Sequence, residues 1–136
     1  MSAAVCDTSV VVKWFADEQD SEAARQIARR AAERGDLRLH CLELTLYELG
    51  NVCVQAGEAA EVPRRLEHVM NQMSHIHVFD RSLAGAAAGL AAHHRLTFYD
   101  ASHLALATVL NVPLITADRE LLATGGVTAA NFAAEL

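Results

Sequence analysis

Three aspartates of this sequence stand close to points where helices are expected to begin. Asp7 follows a short apolar run, Asp100 precedes an alanine-rich helical pattern, and Asp118 follows a β-branched stretch. An aspartate at a helix start commonly accepts hydrogen bonds from exposed backbone N–H groups. Taken one at a time, each of these carboxylates therefore has an ordinary explanation as a helix cap.

Glu48 does not fit that explanation, because it lies inside a helical pattern. Its neighbours four residues before and after, Leu44 and Val52, are apolar, and residues at this spacing share one helix face. We therefore expect Glu48 to point toward the core. A carboxylate that is buried without partners is costly, so this position requires hydrogen-bond donors or a metal ion.

Together the four carboxylates predict a site for hard divalent cations. Oxygen ligands suit Mg²⁺ or Mn²⁺, and without such ions the like charges would repel one another. One or two ions held in this way can activate a water and stabilise the leaving oxygen during phosphodiester hydrolysis. The predicted catalytic and metal-binding residues are Asp7, Glu48, Asp100 and Asp118.

Alternating strand and helix patterns supply a framework for these residues. Strands are predicted at 3–6, 37–41, 76–79 and 112–116, and helices at 8–15, 20–34, 43–56, 58–73, 81–94, 101–110 and 118–123. The alternation is typical of an α/β fold, here a three-layer α/β/α sandwich with a short, mainly parallel central sheet. Ligands bind such sheets beyond the carboxyl ends of the strands, where Asp7 and Asp118 are expected.

Composition narrows the class of protein. The 136 residues, 52% of them hydrophobic, fit one domain over residues 1–136, and no apolar run reaches the ~18 residues of a membrane span. We expect a soluble, cytoplasmic protein without a membrane partner.

The three cysteines form no metal-binding spacing and are expected to be buried thiols. His75 and His77 could share a strand face, but no third ligand stands at a suggestive spacing.

The charge balance is unusual for a protein that binds nucleic acid. Seventeen acidic and eleven basic side chains give a net charge of −6, the wrong sign for a general basic surface. Divalent cations bound by converging acids would reverse the field where a phosphate sits. Four arginines lie on one predicted helix and either form a solvent-exposed face or contact phosphate groups of a nucleic acid: Arg25, Arg29, Arg30 and Arg34.

The four acids lie in sequence blocks that resemble the PIN-domain family, and within it the VapC-like toxins of toxin–antitoxin pairs. The blocks are V-C-D-T-S-V-V-V-K-W-F, L-Y-E-L-G-N, L-T-F-Y-D-A-S-H-L-A-L-A and L-I-T-A-D-R-E-L, in the order of that family and over nearly the whole chain. Two positions depart from the pattern. His103 stands where the family often has Tyr, and Arg95 stands where a Gly is frequent.

The resemblance implies a function and a set of site residues. Asp7, Glu48, Asp100 and Asp118 match the metal-binding acids of the family, and Thr8 or Ser9, Asn51 and Thr116 match its polar supports. It further implies a metal-dependent endoribonuclease with one or two Mg²⁺ or Mn²⁺ ions, an RNA substrate, a small antitoxin partner whose tail covers the acidic pocket, and a homodimer. Small residues on one helix would admit a neighbouring helix from either a second subunit or the same chain: Ala84, Ala87, Ala88 and Ala91.

Other functions remain to be weighed against this one. A haloacid-dehalogenase-like phosphatase also begins with an Asp at a strand end, but its second acid is replaced here by Ser9. No G-x-G-x-x-G follows a strand, which disfavours a dinucleotide-binding module. The serious alternative is a catalytically silent PIN-like domain that binds RNA or a protein.

Overall fold

Four short strands form the central sheet of the protein, in a computed structural model that describes residues 2–136. The strands are β1 (Ser2–Cys6), β2 (Leu37–Leu42), β3 (His75–His77) and β4 (Leu114–Ile115). Their order in the sheet is β3-β2-β1-β4, and each pair runs parallel. The predicted parallel sheet is confirmed.

Eight helices connect and cover the strands. They are α1 (Thr8–Val12), α2 (Ser21–Arg34), α3 (Leu44–Gln55), α4 (Val62–Gln72), α5 (Arg81–His94), α6 (Phe98–Leu110), α7 (Arg119–Ala123) and α8 (Ala129–Ala134), with a 3₁₀ turn at Ala59–Glu61 before α4. Seven of them correspond to predicted helices, and α8 was missed. Its six residues are too few to show a helical repeat.

The core is divided by the sheet into two apolar clusters. Along β1, Ala4 and Cys6 pack into one cluster and Val5 packs into the other, as the alternation of a strand requires. The first cluster includes Ile27 of α2, and the second includes Leu106 of α6. Helices therefore cover both faces, which confirms the predicted three-layer α/β/α sandwich.

Helix α5 packs on helix α6 of the same chain. Ala87 is fully buried at this contact, and Ala91 is partly buried against the same cluster, whereas Ala88 is exposed. The small residues of α5 therefore serve close packing within one subunit.

Several of the predicted boundaries were displaced, among them those of β3 and α6. Strand β3 covers His75–His77, so that Val78 and Phe79 follow it and are exposed. Helix α6 begins three residues earlier than expected, because the Thr97 side chain caps it by accepting a hydrogen bond from the Asp100 N–H. The expectation that Asp100 caps this helix was wrong, since it lies within the first turn.

The pairing of β1 with β4 places their carboxyl ends side by side. Cys6 is the register partner of Ile115, and the Asp7 N–H donates to the Ile115 carbonyl at 3.2 Å. Asp7 and Thr116, the next residues along the two strands, must therefore be close neighbours. This one register sets the position of the candidate site.

Within residues 2–136, no helix combines the length and the apolar character needed to cross a membrane. The three cysteines are free and buried, as expected: Cys6, Cys41 and Cys53.

Helix α5 ends at a strained residue. Arg95 is its C-cap and has a left-handed backbone with φ +56°, a conformation that costs an ordinary L-residue about 1 kcal/mol but not a glycine. Asn111 ends α6 in the same conformation, with φ +55°. This geometry gives a physical reason for a glycine at position 95.

We expect Arg95→Gly to raise the free energy of unfolding by about 0.5 to 1 kcal/mol, because relief of the left-handed strain exceeds the added entropy of the unfolded chain. Asn111→Gly is the matched control. Its free energy of unfolding should rise by less, since Asn tolerates the left-handed conformation better than most other residues. Urea denaturation of the three proteins measures both changes, and a loss of stability in Arg95→Gly would contradict the strain argument.

Candidate active site

Asp7 lies at the carboxyl end of β1, where it caps α1 and is only 3% exposed. Its Oδ1 accepts hydrogen bonds from the Val10 N–H at 3.2 Å and from the Ser9 hydroxyl at 2.5 Å. Its Oδ2 accepts a hydrogen bond from the Thr116 hydroxyl. Capping explains only the contact with Val10, so the two hydroxyls hold this carboxylate for another reason.

The surroundings of Asp7 shift the pKa of its carboxyl group. Burial raises the pKa of Asp7, because the charged form loses its hydration. Hydrogen bonds from Ser9 and Thr116 and the nearby His103 act in the opposite direction but do not outweigh burial. A nearby cation would stabilise the charged form that the protein alone disfavours.

Two hydroxyl groups tie the end of β4 to the end of β1. The Ser9 hydroxyl donates to Asp7 and accepts from the Ala117 N–H at 2.8 Å. The Thr116 hydroxyl also donates to Asp7 and accepts from the Asp118 N–H at 3.0 Å. Ser9 and Thr116 thus link Asp7 to the segment that carries Asp118.

Asp118 and Asp100 lie close together at the same edge of the sheet. Asp118 caps α7, with its Oδ1 accepting from the Glu120 N–H at 2.9 Å and the Leu121 N–H at 3.2 Å. Burial raises the pKa of Asp100, and the charges of Asp118 and Asp7 raise it further, against the effects of Thr97 and His103. The repulsion among these acids is the electrostatic signature expected of a cation site.

Glu120 joins this acidic group. One carboxylate oxygen each from Asp100, Asp118 and Glu120 lies within 4.8 Å of the other two. Sequence analysis missed Glu120, which is exposed on the first turn of α7. The only signal available was its position two residues after Asp118, and that spacing is common in solvated helices.

Glu48 is positioned by two donors that meet on one of its oxygens. The Thr8 hydroxyl donates to Oε1 at 2.6 Å, and His103 Nε2 lies 3.0 Å from the same atom. Burial opposes ionisation of Glu48, but the hydrogen bonds from His103 and Thr8 outweigh it and lower its pKa. The carboxylate therefore stays charged, and its Oε2 accepts no hydrogen bond from the residues that the structure describes.

The reason given from the sequence for the orientation of Glu48 was partly wrong. Its side chain is 34% exposed, and Val52 is exposed rather than packed in the core. The buried face of α3 is formed by Thr45, Leu49 and Cys53. Glu48 is therefore directed by specific donors, not by an apolar surrounding.

His103 is a site residue that sequence analysis noted only as a departure from the family pattern. It is 3% exposed and lies one helical turn after Asp100. Since an ionised carboxylate only accepts hydrogen bonds, Nε2 carries the proton that is donated to Glu48. Nδ1 is buried and has no hydrogen-bond partner among residues 2–136. His103 thereby connects Glu48 on α3 with Asp100 on α6.

Asn51, by contrast, is not brought into this network. It is exposed on α3, and its side chain makes no hydrogen bond to the residues that the structure describes. The supporting role predicted for it therefore stays a prediction.

Three of the four arginines of α2 are engaged in local ion pairs. Arg25 contacts Asp17 at 2.9 Å, Arg29 contacts Glu22 at 2.8 Å, and Arg30 contacts Asp36 at 2.8 Å. These pairs favour the interpretation of α2 as a solvated face.

The chain matches the family model described as PIN domain over residues 4–127. It belongs to the PIN-domain family. The curated protein Ribonuclease VapC3 of Pyrobaculum aerophilum is 30% identical over 125 residues, which cover 86% of this chain and 90% of that protein. The resemblance drawn from the four sequence blocks is confirmed.

Solved structures share the fold of this PIN domain. The crystal structure of PAE2754 from Pyrobaculum aerophilum aligns with a TM-score of 0.73 and 26% identity, covering 98% of this chain and 94% of that one. A toxin-antitoxin complex from Klebsiella pneumoniae contains a chain that aligns with a TM-score of 0.66 and 20% identity, covering 92% and 95%. The second likeness supports the fold alone.

The raised pKa of Asp7 predicts a pH-dependent difference between this PIN domain and its Asp7→Asn variant. An acid whose pKa is raised by folding stabilises the folded state fully below its unfolded pKa of about 3.9, and this contribution is lost as pH rises through the folded value. An Asn side chain cannot ionise, so the Asp7→Asn variant lacks this pH-dependent contribution to stability. In chelator, the variant should therefore gain stability relative to wild type as pH rises from about 4 through the raised pKa of folded Asp7, as measured by urea denaturation.

Asp80→Asn provides the matched control. Asp80 is an exposed cap of α5 that accepts from the Leu83 N–H at 2.8 Å, and Asp-to-Asn changes at such caps are nearly neutral. If Asp7→Asn followed Asp80→Asn at every pH, burial of the Asp7 charge would not be costly.

Proposed function

We propose that this PIN domain is a metal-dependent endoribonuclease that hydrolyses RNA phosphodiester bonds, and that it is the toxin of a toxin–antitoxin pair. The observation that carries the proposal is the close approach of Asp100 and Asp118, whose charges also interact with that of Asp7 at the end of β1. Support also comes from the ribonuclease named among its relatives.

The donor atoms present suit Mg²⁺ or Mn²⁺. They are hard carboxylate oxygens, and those of Asp100, Asp118 and Glu120 lie within 4.8 Å of one another. The residues that would hold one or two ions are Asp7, Glu48, Asp100 and Asp118, with Glu120 as an addition. When bound, such an ion supplies the positive charge that polarises a phosphodiester and acidifies a water.

The protein's own contribution is to fix the anionic groups before substrate arrives. Ser9 and Thr116 hold both oxygens of Asp7, so that this carboxylate cannot rotate away. Thr8 and His103 hold Oε1 of Glu48 and so fix this carboxylate in one orientation. A preorganised charge distribution of this kind stabilises a transition state without reorganising during the reaction.

Two protein partners are proposed from the family and from the surface. A small antitoxin would cover the acidic pocket, in keeping with the toxin-antitoxin complex that shares this fold. A homodimer would form through an exposed apolar patch beside the site, which includes a cavity of about 340 Å³. Exposed apolar patches of this kind commonly mark protein interfaces. The patch comprises Tyr47, Val78, Phe79, Phe98 and Tyr99.

The alternative is a PIN domain that binds RNA or a protein without cleaving. Two separate sets of hydrogen bonds, from Ser9 and Thr116 to Asp7 and from Thr8 and His103 to Glu48, argue for turnover, because a binding surface does not require carboxylates fixed in this way. An assay of RNA cleavage distinguishes the nuclease from the domain that only binds.

We expect wild-type protein to convert a closed circular single-stranded RNA into linear products when Mg²⁺ or Mn²⁺ is present. Asp7→Asn and Asp100→Asn should each lower kcat/KM by about 100-fold or more, because the amide keeps the shape of the side chain and loses its anionic charge. Circular RNA has no ends, so its cleavage also establishes an endonucleolytic cut.

Asp80→Asn serves as the control for these variants and should cleave as wild type does. A thermal melt gives a second readout: a metal at roughly 100 times its Kd stabilises by about 2.7 kcal/mol, or about 5 to 10 °C for a domain of this size. This rise should be smaller in Asp7→Asn. Full Mg²⁺-dependent activity in either site variant would refute the assignment.

Expression of the wild-type chain alone in a bacterium should arrest growth, and co-expression of the small protein encoded beside its gene should relieve the arrest. The reason is the family membership, since an active ribonuclease must be held in check by a partner. Asp100→Asn should be harmless at equal expression. Harmless wild-type protein, at a level that cleaves RNA in lysate, would remove the toxin assignment and leave the nuclease.

A further inference from the structure

Three imidazole rings meet at the edge of the sheet opposite β4. His75 and His77 lie two residues apart on β3, the edge strand, and therefore on one face. His40 lies on β2 as the register partner of His75. The sequence separates His40 from the other two, so the group appears only once the strands are paired.

The nitrogens of His40 and His77 are close enough to share an ion, and the ring of His75 must turn to join them. Ring centroids are 5.1 Å apart for His40 and His77, 5.1 Å for His75 and His77, and 5.9 Å for His40 and His75. The Nδ1 of His40 lies 2.9 Å from Nε2 of His77. Two nitrogens on a tetrahedral Zn²⁺ are about 3.3 Å apart, given Zn–N bonds of about 2.0 to 2.1 Å, so these two need only separate slightly. The exposed ring of His75 is free to turn toward them.

The surroundings favour neutral rings, which are the ligand form of histidine. Burial lowers the pKa of His40, and His77, His75 and Arg38 lower it further. Burial also lowers the pKa of His77, as does His75. Glu43 lines the apolar cavity together with His77, and its carboxylate offers negative charge near a bound cation.

We propose that His40, His75 and His77 form a second metal site, specific for ions that prefer imidazole, such as Zn²⁺, and separate from the acidic pocket. Nitrogen ligands select Zn²⁺, Ni²⁺ or Cu²⁺, whereas carboxylates select Mg²⁺ or Mn²⁺. An ion at this position joins β3 to β2 through side chains. It also fixes His77 at the rim of the cavity in the apolar patch.

The test is calorimetric titration of metal-free protein with Zn²⁺ near neutral pH, in millimolar Mg²⁺ to occupy the acidic pocket. Wild type should bind Zn²⁺ and melt at a higher temperature. His75→Asn should weaken Zn²⁺ binding by about tenfold or more, and His77→Asn should abolish it. Because His75 is exposed, its variant retains the fold even if His77→Asn does not.

The matched control replaces the exposed pair His93 and His94 at the end of α5 by Asn. These two rings also lie close together, with centroids 4.7 Å apart, but have no third histidine on their helix. The control should keep wild-type Zn²⁺ affinity. Equal Zn²⁺ affinity in wild type and His75→Asn would overturn the proposal, as would loss of binding only in the His93 and His94 variant.

Discussion

The site depends on the burial of the Asp7 carboxylate between the ends of β1 and β4. A charged group at 3% exposure is tolerated only when its oxygens are satisfied, and here the hydroxyls of Ser9 and Thr116 supply that need. The same hydroxyls accept backbone N–H groups from the segment after β4. One buried charge thus organises both strand ends, and the position of Asp118 follows from it.

A second layer of positioning concerns Glu48, whose orientation comes from donors on two other elements. Thr8 donates from α1 and His103 from α6. The position of the Glu48 carboxylate on α3 therefore depends on how these three helices pack. This arrangement explains why a histidine can replace the aromatic residue frequent in the family: its ring fills a buried position and also donates a hydrogen bond. The cost is the buried Nδ1 without a partner among residues 2–136.

Local sequence signals were sufficient for the strands and most helices, because each signal depends on neighbours along the chain. Contacts between distant segments were not accessible in this way. The cap at Thr97 displaced Asp100 from its expected role, and the donors to Glu48 came from residues far away in sequence. The trio of His40, His75 and His77 required the register of β2 with β3. Glu120 carried too common a signal to be noticed.

The pairing of β1 with β4 joins the first strand of the chain to the last. The hydrogen bond between Asp7 and Thr116 spans 109 residues, and closing so long a loop has an entropic cost that local contacts do not share. The acids on the two sides of this loop therefore come together only after the segment that carries Thr116 and Asp118 has been synthesised. A chain that stops before this segment lacks the complete acidic site.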